Sequence, residues 1–293
     1  MSNPAVTVLM TTYNAGRCVS GAMETILNQT FEDFEFLIVD DGSSDDTCAR
    51  VKSFGDPRIR LIERSENMGQ TASLNEGLAL AQGHYLARQD ADDYSHPRRL
   101  EEQVAEFERD AGLVLLGTQG VVCDVEGHLR GLLYLPLTAE EIGDWFRIGN
   151  PLLHTSVMFV KEAAKAVGGY DERFRICQDY DLWERLRGSG KIRNLSALRV
   201  AYTLSEHSLS HKAASRTASE AEEIRRRLAS ARMGGAAAKS GRIRALKALH
   251  PEGGSWRMMR LLKAFLCAPV FTTKMAIAMM RVQRETVSEW LLR

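Results

Sequence analysis

The first 120 residues alternate between two hydrophobic periods, and this alternation leaves few architectures open. Short apolar runs at Val6–Met10, Phe34–Val39 and Tyr85–Gln89 read as buried strands, and Arg58–Ile62 alternates as a half-buried one. Between them, Cys18–Asn28, Asp45–Ser53, Gln70–Ala81 and Pro97–Glu108 read as helices. Ser44 or Asp45 is placed to cap the second helix, Gly83 to close the third and Pro97 to open the fourth. Leu113–Leu116 is a further apolar run. Strands and helices in this order form an α/β protein, a mostly parallel sheet flanked by helices.

The rest of the chain changes character twice. Ser156–Val160 reads as a strand, Asp179–Arg187 as a helix closed by Gly188, and Ile192–Tyr202 as an edge strand. From residue 212 onward the pattern is helical, broken by Gly234–Gly235 and Pro251–Gly254 into three or four helices. The expected division is a domain at 1–210 and a helical C-terminal extension at 211–293.

Charge follows the same division. The chain has 38 Lys/Arg and 38 Asp/Glu, a formal net charge of 0, which disfavours a general nucleic-acid binder. Residues 211–293 hold 17 of the cations and 6 of the anions, so an acidic body carries a basic tail. Within the tail, Trp256–Leu266 is basic and amphipathic. It could pack on the acidic body, form a homodimer, or make a peripheral contact with an anionic membrane surface. Leu and Met at helical spacing favour the first two.

The five cysteines, Cys18, Cys48, Cys123, Cys177 and Cys267, are scattered and form no C-x-x-C pair. Neither a disulfide framework nor a zinc site is expected, and a reducing compartment fits. No leader-like segment is seen at the start. No uncharged apolar run reaches the roughly 18 residues that span a bilayer, and the longest candidate, Ala264–Thr273, contains Pro269. The expected location is the cytoplasm, with the inner membrane face as an option.

Two acidic clusters stand where strands end. Asp40-Asp41-Gly42-Ser43-Ser44-Asp45 follows Phe34–Val39, and Asp90-Ala91-Asp92-Asp93 follows Tyr85–Gln89. Ligands of open parallel sheets bind at the carboxyl ends of strands, where a carboxylate can accept from a nucleobase N–H or a ribose hydroxyl. The first cluster is equally a turn and helix cap by composition. In the second, three carboxylates within four residues repel one another unless a cation compensates, and oxygen ligands of this kind suit Mg²⁺ or Mn²⁺ on nucleotide phosphates. A solvated acidic turn before Pro97 is the plainer alternative.

Together with Val6–Asn14, Asn67-x-Gly69 and Asn75, these clusters resemble, in identity and order, the family 2 glycosyltransferases. The likeness runs from about residue 5 to about 210. It implies the GT-A (Rossmann-like) fold, a nucleotide-sugar donor, most often a UDP-sugar, and inversion at the anomeric carbon. It also implies a divalent cation, Mn²⁺ or Mg²⁺, and a carbohydrate or lipid-linked acceptor in bacterial polysaccharide or glycolipid assembly. By resemblance, Thr11, Tyr13 and Asn14 line the nucleotide pocket, Asp40 meets the base with Asp41 beside it, and Asn67 and Gly69 let the chain approach the donor. Asp90 faces the ribose or sugar, Asp92 holds the metal with Asp93 adjacent, and His207 completes the metal site. The family's catalytic base lies in a Glu-Asp pair. Here Gln178-Asp179 precedes Tyr180-Asp181-Leu182-Trp183, so Asp179 keeps the role while Gln178 departs from the pattern. Read by itself, Asp179 is an acid favoured by a helix N-terminus. Asp181 is the fallback base, and His154 and Gln178 stand on the acceptor side.

Two other readings compete. A sugar nucleotidyltransferase needs a glycine-rich basic loop after the first strand, but Thr11–Arg17 has one glycine, Gly16. A non-catalytic nucleotide-sugar-binding scaffold subunit has no need of both Asp92 and Asp179.

Overall fold

The computed structural model describes residues 3–204, 213–230 and 286–292. The first half runs β1 (Val6–Thr12), α1 (Val19–Leu27), β2 (Phe34–Asp40), α2 (Thr47–Ser53), β3 (Ile59–Glu63), α3 (Gln70–Leu80), β4 (Tyr85–Asp90) and β5 (Tyr94–Ser95). It continues with α4 (Arg99–Arg109), β6 (Leu113–Cys123), β7 (Leu129–Leu133), α5 (Ala139–Trp145) and a 3-10 turn at His154–Ser156. Then follow β8 (Met158–Val160), α6 (Lys161–Ala166), α7 (Gln178–Leu186) and β9 (Lys191–Thr203). Two helices of the extension are described, α8 (Ala214–Ser230) and α9 (Val287–Leu291).

All strands join one sheet in the order β3-β2-β1-β4-β8-β6-β9-β5, with β7 paired to β6. Its first half, β3-β2-β1-β4, is parallel throughout. β8 pairs antiparallel with both β4 and β6, and β6 and β9 run parallel. β1 is buried at all seven positions, as a parallel strand covered on both faces must be. Its side chains alternate between two cores. Leu9 joins Leu37, Leu74, Leu86, Phe159 and Trp183, while Val8 and Met10 join Met23, Phe36, Ile38 and Leu100.

The register places the functional tips. Thr11 lies opposite both Val39 and Asp90, and Thr12 opposite Asp40. The two acidic clusters therefore emerge on either side of the end of β1, where the strand order reverses and an open sheet offers its crevice.

β6 is longer than its apolar start at Leu113–Leu116 predicts. The strand continues through Gly117, Thr118, Gln119 and Gly120, whose polar groups are bonded. Gln119 exchanges bonds with both backbone groups of Leu135 (2.9 and 2.7 Å), and the Thr118 hydroxyl donates to the Gln119 carbonyl (2.9 Å). β9 bears out the edge position for most of its length, since among the described residues only the two-residue β5 pairs with its outer side.

The two described helices of the extension pack on the body. α8 buries Ile224 and Leu228 in the core that holds Trp183 and Leu186. α9 buries Val287 and Trp290 against Val121, Cys123, Leu129 and Ala201, and a Thr286–Glu289 capping box opens it. Trp256–Leu266, Cys267 and His207 lie outside the described residues. The four described cysteines are all free. Among the described residues no helix is long and apolar enough to cross a membrane.

Candidate active site

The loops after β1, β2 and β3 are laced together by the first acidic cluster. Asp40 is buried and accepts from the Thr12 hydroxyl (2.8 Å) and from the Ser43 amide and hydroxyl (2.8 and 2.6 Å). Asn14, the one non-glycine residue at positive φ (50°) among the described residues, accepts from the Ser44 amide (2.9 Å), and its own amide donates to Ser43 Oγ (2.8 Å). An asparagine tolerates this left-handed conformation better than most residues. Asp41 reaches across to the next loop. It accepts from the amides of Met68 (3.0 Å) and Gly69 (2.8 Å) and pairs with Arg64 (3.1 Å). Asp40 and Asp41 thus shape the rim, while Tyr13 (52% exposed) and Asn67 face outward. Asn75 ties α3 to the segment before α7 by exchanging bonds with Tyr170 (2.8 and 2.9 Å).

Gly42 makes this rim possible. Its φ is +74°, and a Cβ there would lie 2.7 Å from the Glu66 carbonyl carbon. Gly42→Ala therefore forces the two loops apart. The expected loss is about 1–3 kcal/mol of stability in urea unfolding, with donor affinity at least tenfold weaker. Unchanged values for both would show that the rim does not shape the donor pocket.

The second cluster rests on buried arginines. Arg88 donates to Asp90 (2.6 Å) and to His154 Nε2 (3.1 Å), and also bonds the Leu9 carbonyl. The Asp90 amide donates to the Thr155 hydroxyl (3.1 Å). Arg99, fully buried, makes its bonds to neutral oxygens, including Ser95 Oγ (2.6 Å), Gln89 Oε1 (3.0 Å) and the Arg88 carbonyl (2.5 Å). Asp93 is buried and accepts from the Thr203 amide (2.8 Å), whose hydroxyl donates to the Asp92 carbonyl (2.5 Å). Burial, and then the Asp90 charge, pushes the Asp92 carboxyl up to about 6. Burial, and then Asp92 and Asp90, holds Asp93 well above the usual carboxylate range. Three acids are thus crowded with Asp90 alone in an ion pair, an arrangement that a bound cation would relieve.

Asp179 opens α7. Its carboxylate accepts from Asn150 Nδ2 (2.6 Å) and from the Tyr180 amide (2.7 Å). Burial chiefly, against these bonds, pushes it up to about 6, and Asp90 is close enough to add to the rise. The α7 acid thus stands within electrostatic reach of the second cluster. Gln178 is buried (2% exposed). Its amide donates to Gln70 Oε1 (3.1 Å), and its own Oε1 has no hydrogen-bond partner.

The other sequence candidates are placed differently. Asp181 is buried and held by Arg185 (2.6 Å) and Arg227 (2.5 Å), so it fastens α8 to α7 rather than facing the cleft as a spare base. His154 packs edge-on to Tyr170 and Trp183, and burial followed by Arg88 holds its pKa well below the usual value, so it is neutral at physiological pH. The Thr11 hydroxyl is buried without a hydrogen-bond partner. Arg88 and Asn150 are not singled out by the sequence. A lone charge inside an apolar strand was the signal for Arg88, whereas nothing local distinguishes Asn150, which meets Asp179 from 29 residues away. At the β6–β7 turn, Asp124, Glu126 and His128 bring ligand atoms within 4.8 Å of one another. Asp124 is already engaged there by two backbone amides and Arg130.

The fold and site define a GT-A glycosyltransferase. The family model for glycosyl transferase family 2 matches residues 7–165, and the chain belongs to that family. It is similar to the putative glycosyltransferase EpsE of Bacillus subtilis, 37% identical over 212 residues, 71% of this chain and 75% of that protein. The amylovoran biosynthesis glycosyltransferase AmsE of Erwinia amylovora is 29% identical over 187 residues, 62% of this chain and 70% of that one. Two solved structures share the fold. S. aureus TarS in complex with UDP-GlcNAc has a TM-score of 0.61 at 18% identity, covering 87% of this chain and 68% of that chain. The mannosyltransferase PcManGT from Pyrobaculum calidifontis, in complex with GDP-Man and Mn²⁺, has a TM-score of 0.53 at 17% identity, covering 95% and 74%.

Proposed function

We propose that this enzyme moves a sugar from a nucleoside-diphosphate donor, a UDP-sugar first, to a hydroxyl of a carbohydrate or lipid-linked acceptor, with inversion, in bacterial polysaccharide or glycolipid assembly. The observation that carries the reading is the placement of Asp179: a carboxylate at a helix start, oriented by Asn150 and within electrostatic reach of Asp90. The relatives' names support the polysaccharide setting, since AmsE acts in amylovoran biosynthesis.

Asp179 takes the proton from the acceptor hydroxyl. The oxygen then attacks the anomeric carbon on the face opposite the diphosphate, and one displacement inverts the centre. A base with a pKa near 6 is mostly unprotonated at pH 7 yet still basic enough to remove the proton. Asn150 holds one carboxylate oxygen and the Tyr180 amide the other, which fixes the plane of the carboxylate and leaves a lone pair on each oxygen for the acceptor hydroxyl.

The acids at the end of β4 fit a divalent cation, because three crowded carboxylates carry more negative charge than Arg88 balances. Asp92, beside Asp90, would hold Mn²⁺ or Mg²⁺, with His207, outside the described residues, as a further ligand. A cation bound there offsets charge on the departing diphosphate. Thr11, Tyr13, Asn14, Asp40, Asp41, Asn67 and Gly69 form the nucleotide side, and Gln178 and His154 the acceptor side. A cytoplasmic location suits such donors. A homodimer or a peripheral membrane contact falls to residues 231–285, which carry 11 Lys/Arg and 2 Asp/Glu, and flotation of the full chain with anionic vesicles separates the two. A nucleotidyltransferase or a silent scaffold has no observation in its favour.

A thermal-shift panel of UDP-, dTDP- and GDP-sugars with Mn²⁺ tests the donor class. A ligand at about 100 times its Kd adds about 2.7 kcal/mol, here a rise of roughly 5–10 °C. A panel in which no sugar nucleotide raises the melting temperature would contradict the proposal.

A further inference from the structure

α8 reaches the start of α7. Glu220 Oε1 accepts from the Arg175 amide (3.2 Å), and Oε2 accepts from those of Ile176 and Cys177 (2.9 Å each). Cys177 is the cap residue of α7 and supplies no side-chain cap of its own. A helix start favours an anion, and here it comes from a helix more than 40 residues downstream. Two turns further along α8, Arg227 pairs with Asp181 (2.5 Å), while Ile224 and Leu228 are buried in the core shared with α7. α8 therefore grips α7 before and after Asp179.

We propose that Glu220 is a positioning residue for glycosyl transfer: by holding the backbone of residues 175–177 it sets where the first turn of α7 presents Asp179 to the cleft. It touches no reacting atom and acts through three backbone amides. The first helix of the basic extension is then part of the catalytic unit. The inference rests on the reading of Asp179 as the base. A misplacement of about 1 Å at a reacting group can cost about 10²-fold in rate, and the lead-in to α7 has no substitute cap from its own side chains.

The test compares full-length Glu220→Ala, Glu220→Gln and Leu228→Ala, with UDP-GlcNAc and Mn²⁺ as the first probe and UDP release as the signal. Leu228→Ala loosens α8 without touching the 175–177 amides. Glu220→Ala is expected to lower kcat about 10- to 100-fold with donor KM within about twofold. Glu220→Gln, which keeps one carbonyl oxygen for two of the amides, should recover most of the loss. Leu228→Ala, assayed below its melting temperature, should keep kcat within about twofold of wild type. Hydrogen exchange needs no donor: amides 176–181 should exchange faster in Glu220→Ala than in Leu228→Ala. Wild-type kcat or wild-type exchange in folded Glu220→Ala would overturn the proposal. So would an equal kcat loss in Leu228→Ala, which would mark a purely structural role. Asp179→Asn in the same assay separates the two readings. If it turns over normally, the base assignment fails; if it is inactive while Glu220→Ala is normal, only the positioning role fails.

Discussion

Asp179→Asn is expected to lower turnover by about 10²–10⁴-fold, the usual worth of a placed general base, while donor affinity stays within about twofold. The substitution removes one proton-accepting oxygen and little else. The amide side chain has the same shape and still offers an oxygen to Asn150 or to the Tyr180 amide. Fold and donor affinity should survive, because the residues proposed for the nucleotide side stand on β1, β2 and the loops after β1, β2 and β3. The pH profile gives a second reading. Burial chiefly pushes the Asp179 carboxyl up to about 6, and a general base works in its deprotonated form. Wild-type turnover should therefore rise from pH 5 to 7 and level off, and the variant should lose that rise. Steady-state rates with calorimetric donor binding check both. Full turnover in Asp179→Asn, or an unchanged acid limb, would remove the base assignment.

The second large effect is expected at Asp92. Asp92→Ala should weaken manganese-dependent donor binding by at least about 10²-fold in calorimetry, since a divalent site losing a carboxylate ligand loses both a bond and a charge. Without metal, the same site works against the fold. The Asp92 carboxyl stands at about 6 in the folded chain against 3.8 for the free group, from burial first and Asp90 second. A carboxyl raised on folding favours the native state fully below the unfolded value and loses that contribution as pH climbs through the folded value. Metal-free wild type should thus lose on the order of 1–3 kcal/mol between about pH 4 and 6 through this group. Asp92→Asn, similar in shape and uncharged, should escape the loss and be the more stable protein at pH 7. Added Mn²⁺ should reverse the order. Manganese dependence equal to wild type in Asp92→Ala would exclude this residue as a ligand.

Much of the site's frame is legible in the sequence because β1, β2 and β4 are apolar runs that end in acids, and parallel sheets collect ligands at those ends. Other parts are hidden by the way polar groups are satisfied. Thr118 and Gln119 lie past the apolar run at Leu113–Leu116, yet their side-chain bonds let β6 continue through the core. Asp41 looks like a ligand contact, yet much of its bonding holds the Met68–Gly69 backbone. Asp181 looks like a spare base beside Asp179, but one helical turn of spacing sets Arg185 against it, and Arg227 arrives from α8. Glu220 lies in a charge-rich stretch, with Glu222, Glu223 and Arg225–Arg227 close by in the sequence. Its role appears only when α8 is laid against α7. In each case a long-range partner decides the role, and local periodicity carries no trace of that partner.

We propose that the β4 acids and Asp179 line one cleft around a metal-bound nucleotide sugar. Crystals grown with UDP and Mn²⁺, measured at the manganese absorption edge, test it most directly. An anomalous peak is expected within bonding distance of the Asp92 carboxylate, on the side that Asp179 faces, with the uridine against Tyr13 and the loop after β2. A peak bound only at the Asp124–His128 turn, with the tips of β1 and β4 free of nucleotide, would contradict it.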